Sequence, residues 1–330
     1  MIHFDRRRAL ISTAGLAVGG MATTRLLPEE MLLRDRRPAR SRVAIVSAVR
    51  YSEDLADSLQ RALRMFGLNL RGKSVLLKPN LVEYIDGVEV NTNPILVGAT
   101  AEAFRNLGAR SVVIAEGPGH QRDTYLVLAE SGLEAQLRRQ KLSFVDLNRD
   151  ELLKVATRAN FTGLDHLWLP RTVLESDFVV SMPKVKTHHW AGLTLSMKNM
   201  FGIVPGTKYG WPKNVLHWKG IHRSILDICA TAPIQFVVAD GVVAMEGNGP
   251  LHGTHRHLGK IVLANDPVAA DFVCAQLMGL NPGLVWHLDR ASHFLGNGAP
   301  GRIDLIAERL PLRVVPFDVL PEFTHLQMRA

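Results

Sequence analysis

The chain has 330 residues, with 39 Lys and Arg against 31 Asp and Glu, a formal net charge of +8, and only two cysteines, Cys229 and Cys274. Three arginines against Asp5 near the N-terminus, and six against three acids between Arg25 and Arg42, carry five of those eight excess charges. The remainder has no basic run interleaved with aromatics, so nothing supports nucleic-acid binding, and no C-x-x-C offers an iron–sulfur or zinc-ribbon module.

Residues 1–22 read as a twin-arginine signal peptide. Arg7-Arg8-Ala9-Leu10-Ile11 supplies an arginine pair followed by apolar positions. A mild apolar stretch from Ala9 to Met21 follows, and Gly20-Met21-Ala22 gives the small-x-small pattern of a cleavage site. The stretch is too short for a permanent membrane span, which takes about 20 apolar residues. A periplasmic or otherwise exported protein is expected, with the twin-arginine machinery as a partner and folding completed before export. Residues 23–42, with Pro28, Pro38 and scattered charges, read as a linker.

Ordered structure is expected from Val43-Ala44-Ile45-Val46, a β-branched run of the buried-strand type. Ser52-Glu53-Asp54 precedes a helix to about Phe66, Val75-Leu76-Leu77 is a strand, and Asn93-Pro94 opens a helix that stops at Gly108. Further strands are expected at Val112–Ala115, Phe144-Val145 and Phe178–Val180, with helices between Thr124 and Gln140. The second half continues with a helix near Ser224–Ala230 and strands at Phe236–Ala239 and Ile261–Ala264. Asp266-Pro267 then caps a helix to Met278. Strand–helix alternation with fully apolar strands gives an α/β class, mostly parallel sheets flanked by helices. Two lobes, 43–182 and 183–330, are expected around a cleft.

Ligands in such sheets collect at the carboxyl ends of strands. Four segments there carry unusual polar groups. Lys78-Pro79-Asn80 and Glu116-Gly117-Pro118-Gly119-His120 follow their strands directly, offering an ammonium, an amide, a carboxylate and an imidazole. Either could equally be an ordinary solvated turn. Pro183-Lys184-Val185-Lys186-Thr187-His188-His189-Trp190 runs on to Lys198-Asn199; alternate lysines on a strand share a face and suit a carboxylate or phosphate. Asp240-Gly241, with Glu246, His252, His255 and His257 beyond it, has the donor types of a divalent metal site or of a hydrated loop. Lys78, Asn80, Lys184, Lys186 and Lys198 are the candidate binders of an anionic small molecule or cofactor. His120, His188 and Glu116 are the catalytic candidates, and His188 and Asp240 the metal candidates. No P-loop, G-x-G-x-x-G or G-x-S-x-G motif follows a strand.

These segments together, from Lys78-Pro79-Asn80-Leu81 through Pro183-Lys184-x-Lys186-Thr187-His188, Lys198-Asn199-x-x-Gly202, Asp240-Gly241 and Gly247-x-Gly249-Pro250 to Asp271, resemble the family called domain of unknown function 362. The resemblance brings no activity. A more distant one, carried by His188–Gly192, Lys198, Pro205-Gly206 and Glu116–Arg122, is to nickel-dependent lactate racemases. It implies an α/β enzyme with isomerase chemistry, a nickel pincer cofactor anchored by Lys198 and ligated by His188, and His120 as acid/base. No histidine stands at the position of the second nickel ligand, where Asn214 falls, with His217 three residues on. An exported enzyme with acid/base chemistry, a non-catalytic anion- or metal-binding protein and a structural envelope protein remain as readings.

Overall fold

The computed structural model describes residues 33, 35–119, 123–232, 234–310 and 314–328. The signal-peptide assignment, the first part of the linker and the candidate His120 lie outside them.

The body is one large sheet with helices on both faces. Twelve strands run β1 Ser41–Ser47, β2 Ser74–Pro79, β3 Ser111–Glu116, β4 Ser143–Asp146, β5 Leu152–Ala156, β6 His166–Pro170, β7 Phe178–Met182, β8 Lys184–His188, β9 Gly192–Thr194, β10 Phe236–Asn248, β11 His252–Ala264 and β12 Ile303–Leu305. The order across the main sheet is β12-β1-β11-β10-β7-β2-β3-β4, with β8 pairing β10 and β9, while β5 and β6 form a separate antiparallel pair. The run β10-β7-β2-β3-β4 is parallel throughout. The α/β class with a mostly parallel sheet is therefore observed.

Period-two alternation explains why these strands are apolar on both faces. Val75, Leu77, Ile114, Phe178, Val180 and Phe236 pack against one helical layer that includes Leu55–Arg64 and Pro94–Asn106. Leu76, Ala115, Val179, Val237 and Ala239 meet the opposite layer, built from Ile221–Thr231 and Pro267–Leu277. The caps follow the sequence where the side chain can reach: Asn93 accepts the Ile95 N–H at 3.0 Å and Asp266 those of Val268 and Ala269 at 2.8 and 3.2 Å. Asp54 makes no such bond.

The expected division at 182/183 does not separate two sheets. Residues Leu33–Ala330 form one compact unit, and β1, from the first half, lies between β11 and β12 of the second. The stretch read as a Gly- and His-rich loop is instead the distal half of a long hairpin, in which β10 and β11 stay paired out to Asn248 and His252.

Asp271 ties the second helical layer to the sheet's ligand end. Its carboxylate accepts the backbone N–H of Ser196 at 2.7 Å and of Met197 at 3.0 Å, opening the short helix Ser196–Asn199. Burial raises its pKa to about 7, against the pull of those hydrogen bonds. Replacing Asp271 by Ala strands two buried donors, each worth about 1–3 kcal/mol, so chemical denaturation is expected to show a loss of about 2–5 kcal/mol. A variant of wild-type stability contradicts this role.

Candidate functional site

The carboxyl ends of β2 and β3 converge with β8 on a cavity of about 200 Å³. Among the described residues four lysines, Lys78, Lys186, Lys198 and Lys213, line it, against a single carboxylate, Glu116.

Lys78 and Glu116 sit at adjacent strand ends with their side chains almost fully buried, and they pair directly. The Lys78 Nζ also donates to the Pro79 carbonyl and to Asn199 Oδ1, each at 3.0 Å. Three acceptors saturate its three protons. Asn199 in turn donates through Nδ2 to the Lys78 carbonyl at 3.1 Å and to Ser181 Oγ at 3.0 Å, which fastens the helix Ser196–Asn199 to the sheet. Glu116 also accepts the Gly117 N–H at 2.9 Å. A Cβ on Gly202 would collide with the Glu116 carboxylate and the Lys78 ammonium, so only glycine leaves room for the pair. Burial pulls the Lys78 pKa down and Glu116 pushes back.

The other three lysines have no carboxylate of their own. Lys213, which sequence reasoning missed, is buried with a left-handed φ of 70° and donates to the carbonyls of Gly117 and Phe201, both at 2.8 Å. Lys186 donates to the Val90 carbonyl at 2.9 Å. Lys198 keeps some exposure, lies 4.4 Å from the Phe201 ring centroid and has no hydrogen-bond acceptor among the described residues. Burial lowers Lys213 to about 7, with neighbouring Lys78 and Lys198 adding to the fall and Glu116 opposing it. Burial and Lys78 lower Lys198 to about 8. Lys186 falls well below its ordinary range through burial, then through Lys184 and Lys198. Two cavity-lining side chains carry unpartnered buried oxygens, Asn80 Oδ1 and Thr194 Oγ1.

Three imidazoles complete the wall. His188 Nδ1 accepts the N–H groups of Trp190 and Ala191, at 3.0 and 3.2 Å. The neutral ring must then carry its proton on Nε2. His189 and His217 are the reverse: Nδ1 faces the Gly249 carbonyl at 2.8 Å and the Lys213 carbonyl at 3.1 Å, so Nδ1 donates and Nε2 keeps its lone pair. Burial, then the Lys198 charge, lowers His217 to about 4, and burial holds His188 well below its ordinary value. His189 stacks on His188 with centroids 4.8 Å apart, and Trp190 stands edge-on to His217 at 5.1 Å.

Of the residues singled out in the sequence, Lys78, Asn80, Glu116, Lys186, His188 and Lys198 gather here. Lys184 and Asp240 do not. They form a buried ion pair at 2.9 Å, closed by Tyr51, whose hydroxyl donates to Asp240 at 2.8 Å, and by the Val243 carbonyl 3.0 Å from Lys184. The placing of Lys184 beside Lys186 on one ligand is thus corrected: β8 meets β10 with a register shift between Asp240 and Met245, and the first lysine is drawn to the aspartate. Asp240, expected as a metal ligand, is held in that ion pair and does not line the cavity. His188 is also unsuited, since a ligating Nε2 would need the ring proton on Nδ1, where two N–H groups already point. His252, His255 and His257 are exposed along β11; His255 Nε2 accepts the Glu89 N–H at 2.7 Å and His257 Nε2 bonds the Val49 carbonyl at 2.6 Å. Among the described residues no group of three His, Cys, Asp or Glu side chains is placed to hold a metal ion. The residues present do not fit the nickel-binding role that the racemase resemblance implies for His188.

A family model described as "Domain of unknown function (DUF362)" matches residues 75–276. A thylakoid-associated protein of Synechocystis sp. is 29% identical over 220 residues, which span 65% of this chain and 65% of that protein. Among solved structures, the lactate racemase apoprotein from Thermoanaerobacterium thermosaccharolyticum aligns with a TM-score of 0.42 and 15% identity, covering 70% of this chain and 55% of its own. A Thermotoga maritima protein aligns with a TM-score of 0.37 and 12% identity, over 70% and 60%. No described helix is long and apolar enough to cross a membrane.

The Lys78–Glu116 pair gives a direct test of the site's frame. Lys78→Met leaves a buried carboxylate without its cation, and a loss of about 3–5 kcal/mol in chemical denaturation is expected. Adding Glu116→Gln should recover most of it. A single variant as stable as the parent, or a double variant no better than the single, contradicts the pairing.

Proposed function

The chain belongs to the DUF362 family, and from the side chains around its cavity we propose that it binds a small organic anion and moves a proton on it. One observation carries the reading: among the described residues, four lysines face one carboxylate around the same cavity. Buried charge is costly unless neutralised, so an uncompensated cationic pocket favours a negative guest. Lys186 has two N–H donors beyond its bond to Val90, and Lys213 has one beyond its two carbonyls. Those donors suit a carboxylate. Trp190 and Phe201 give the ligand's carbon part an apolar wall. The Nε2 lone pairs of His189 and His217 are the available proton acceptors, and the Nε2–H of His188 is an available donor. Isomerase-like proton transfer on a hydroxy or oxo acid is the chemistry this set supports. No step is assigned to a metal.

Export is the second part of the proposal, resting on Arg7-Arg8-Ala9-Leu10-Ile11, with the thylakoid association of the Synechocystis relative in keeping with a destination at or beyond a membrane. An Arg7→Lys, Arg8→Lys variant is expected to stay in the cytoplasm of a host that exports the parent, as read by cell fractionation. Equal export of both sinks it.

Calorimetry with small carboxylates tests the anion site. An anion raises the pKa of Lys198 and Lys213, which start near 8 and 7, so binding at pH 7–8 takes up protons. The observed enthalpy should then vary with the buffer's ionisation enthalpy, and affinity should fall as pH rises past 8. Lys186→Met should weaken binding about 10–100-fold, the worth of a charged hydrogen bond. Binding that no carboxylate shows, or that is independent of Lys186 and pH, overturns the proposal. Tight binding with no turnover of any acid would make the protein a binding module.

A further inference from the structure

The four cavity lysines are not equivalent. Lys78 spends its three protons on Glu116, Asn199 and the Pro79 carbonyl. Lys213 is held by two carbonyls and Lys186 by one. Each of these acceptors stabilises the ammonium form and occupies the nitrogen. Lys198 has none among the described residues; the face of Phe201, 4.4 Å away, and the charge of Glu116 favour its ammonium form. Three other lysines share its cavity, and like charges favour the neutral amine. An amine that is desolvated, beside other cations and free of acceptors is the arrangement that makes lysine a nucleophile toward carbonyls.

We infer that Lys198 forms a Schiff base with a small 2-oxo acid whose carboxylate is held by Lys186. This rests on the anion-binding reading of the same cavity and adds a covalent step to it. The amine lone pair bonds to the carbonyl carbon while the C=O π pair moves to oxygen, which takes a proton from nitrogen to give a carbinolamine. That hydroxyl takes a second proton and leaves as water as the nitrogen lone pair closes the C=N bond. Overall an ammonium and a carbonyl give an iminium and one water, with no oxidant or reductant. His217, whose ring lies 5.3 Å from that of Phe201 and whose Nε2 lone pair is free, is placed to relay the proton. The iminium then draws electrons from the adjacent carbon, so the reactions it serves break a C–H or C–C bond next to the former carbonyl. A cavity of about 200 Å³ restricts the acid to a few carbons. The lowered pKa of Lys198, about 8, leaves a large share of the amine neutral near that pH.

Incubation of the full chain with pyruvate at pH 8, reduction by borohydride and peptide mapping by mass spectrometry test this. Trapping at Lys198 should exceed that at exposed Lys219, which lies outside the cavity, by more than about tenfold. Lys198→Arg, which keeps the charge, should abolish the adduct while its melting curve remains cooperative. Two results overturn the inference while leaving the anion site standing: no adduct although pyruvate raises the melting temperature, or an adduct spread evenly over surface lysines. Absence of both adduct and thermal shift, with the other small carboxylates also silent, removes the anion site as well.

Discussion

The ion pair between Lys78 and Glu116 is the constraint around which the ligand end of this fold is arranged. A parallel sheet buried on both faces can admit charge only where its strands stop, and here two neighbouring strands stop on opposite charges. Burial would penalise either group alone. Together, with Asn199 bridging to Lys78 and Ser181, they bind the helix Ser196–Asn199 to β2 and β7. Gly202 is required beside them because a side chain would fill the space they occupy. Asp271 secures the other end of the same short helix, so Lys198 projects from an element held at both ends.

Among the described residues that pair uses up the one carboxylate lining the cavity, which leaves the other lining lysines without an acidic partner there. The protein tolerates this by lending backbone carbonyls to Lys186 and Lys213 and an aromatic face to Lys198. These are partial remedies, and burial, with neighbouring lysines adding to it, lowers the pKa of all three. This is the basis for proposing an anion rather than a cation as the guest. Of the imidazoles, His188 turns a donor from its Nε2, while His189 and His217 keep lone pairs there. Lys184 and Asp240, a few residues from the cavity lining, show the contrast: where a carboxylate is supplied, the lysine becomes part of the frame.

Much of this was legible in the sequence, and the failures have physical causes. Apolar strand runs, the caps at Asn93 and Asp266, and the polar residues following each strand all depend on short-range chemistry, so they read correctly. The joining of Lys78 to Glu116 depends on β2 and β3 being neighbours, which local pattern does not fix. Lys184 and Lys186 look equivalent by alternation, yet the register shift against β10 sends them to different partners. Lys213 gave no signal: it lies in a loop, reaches Gly117 from 96 positions away, and adopts a left-handed backbone that its residue type does not advertise. The hairpin of β10 and β11 resembled a loop because its glycines and histidines suit a solvent-exposed ribbon as well as a turn. The boundary at 182/183 does not separate two sheets because β1 pairs β11 across it, a contact between residues over 200 positions apart that local pattern does not reveal.

If the cavity holds a small anion between Lys186, Lys198 and Lys213, crystals of the full chain soaked in bromide, without competing carboxylates, should reveal it by anomalous diffraction. A bromide peak is expected inside the cavity within hydrogen-bond reach of Lys186 Nζ and Lys198 Nζ, displaced when a small carboxylate is added. Bromide peaks confined to the protein surface, with the cavity empty of anomalous signal, would contradict it.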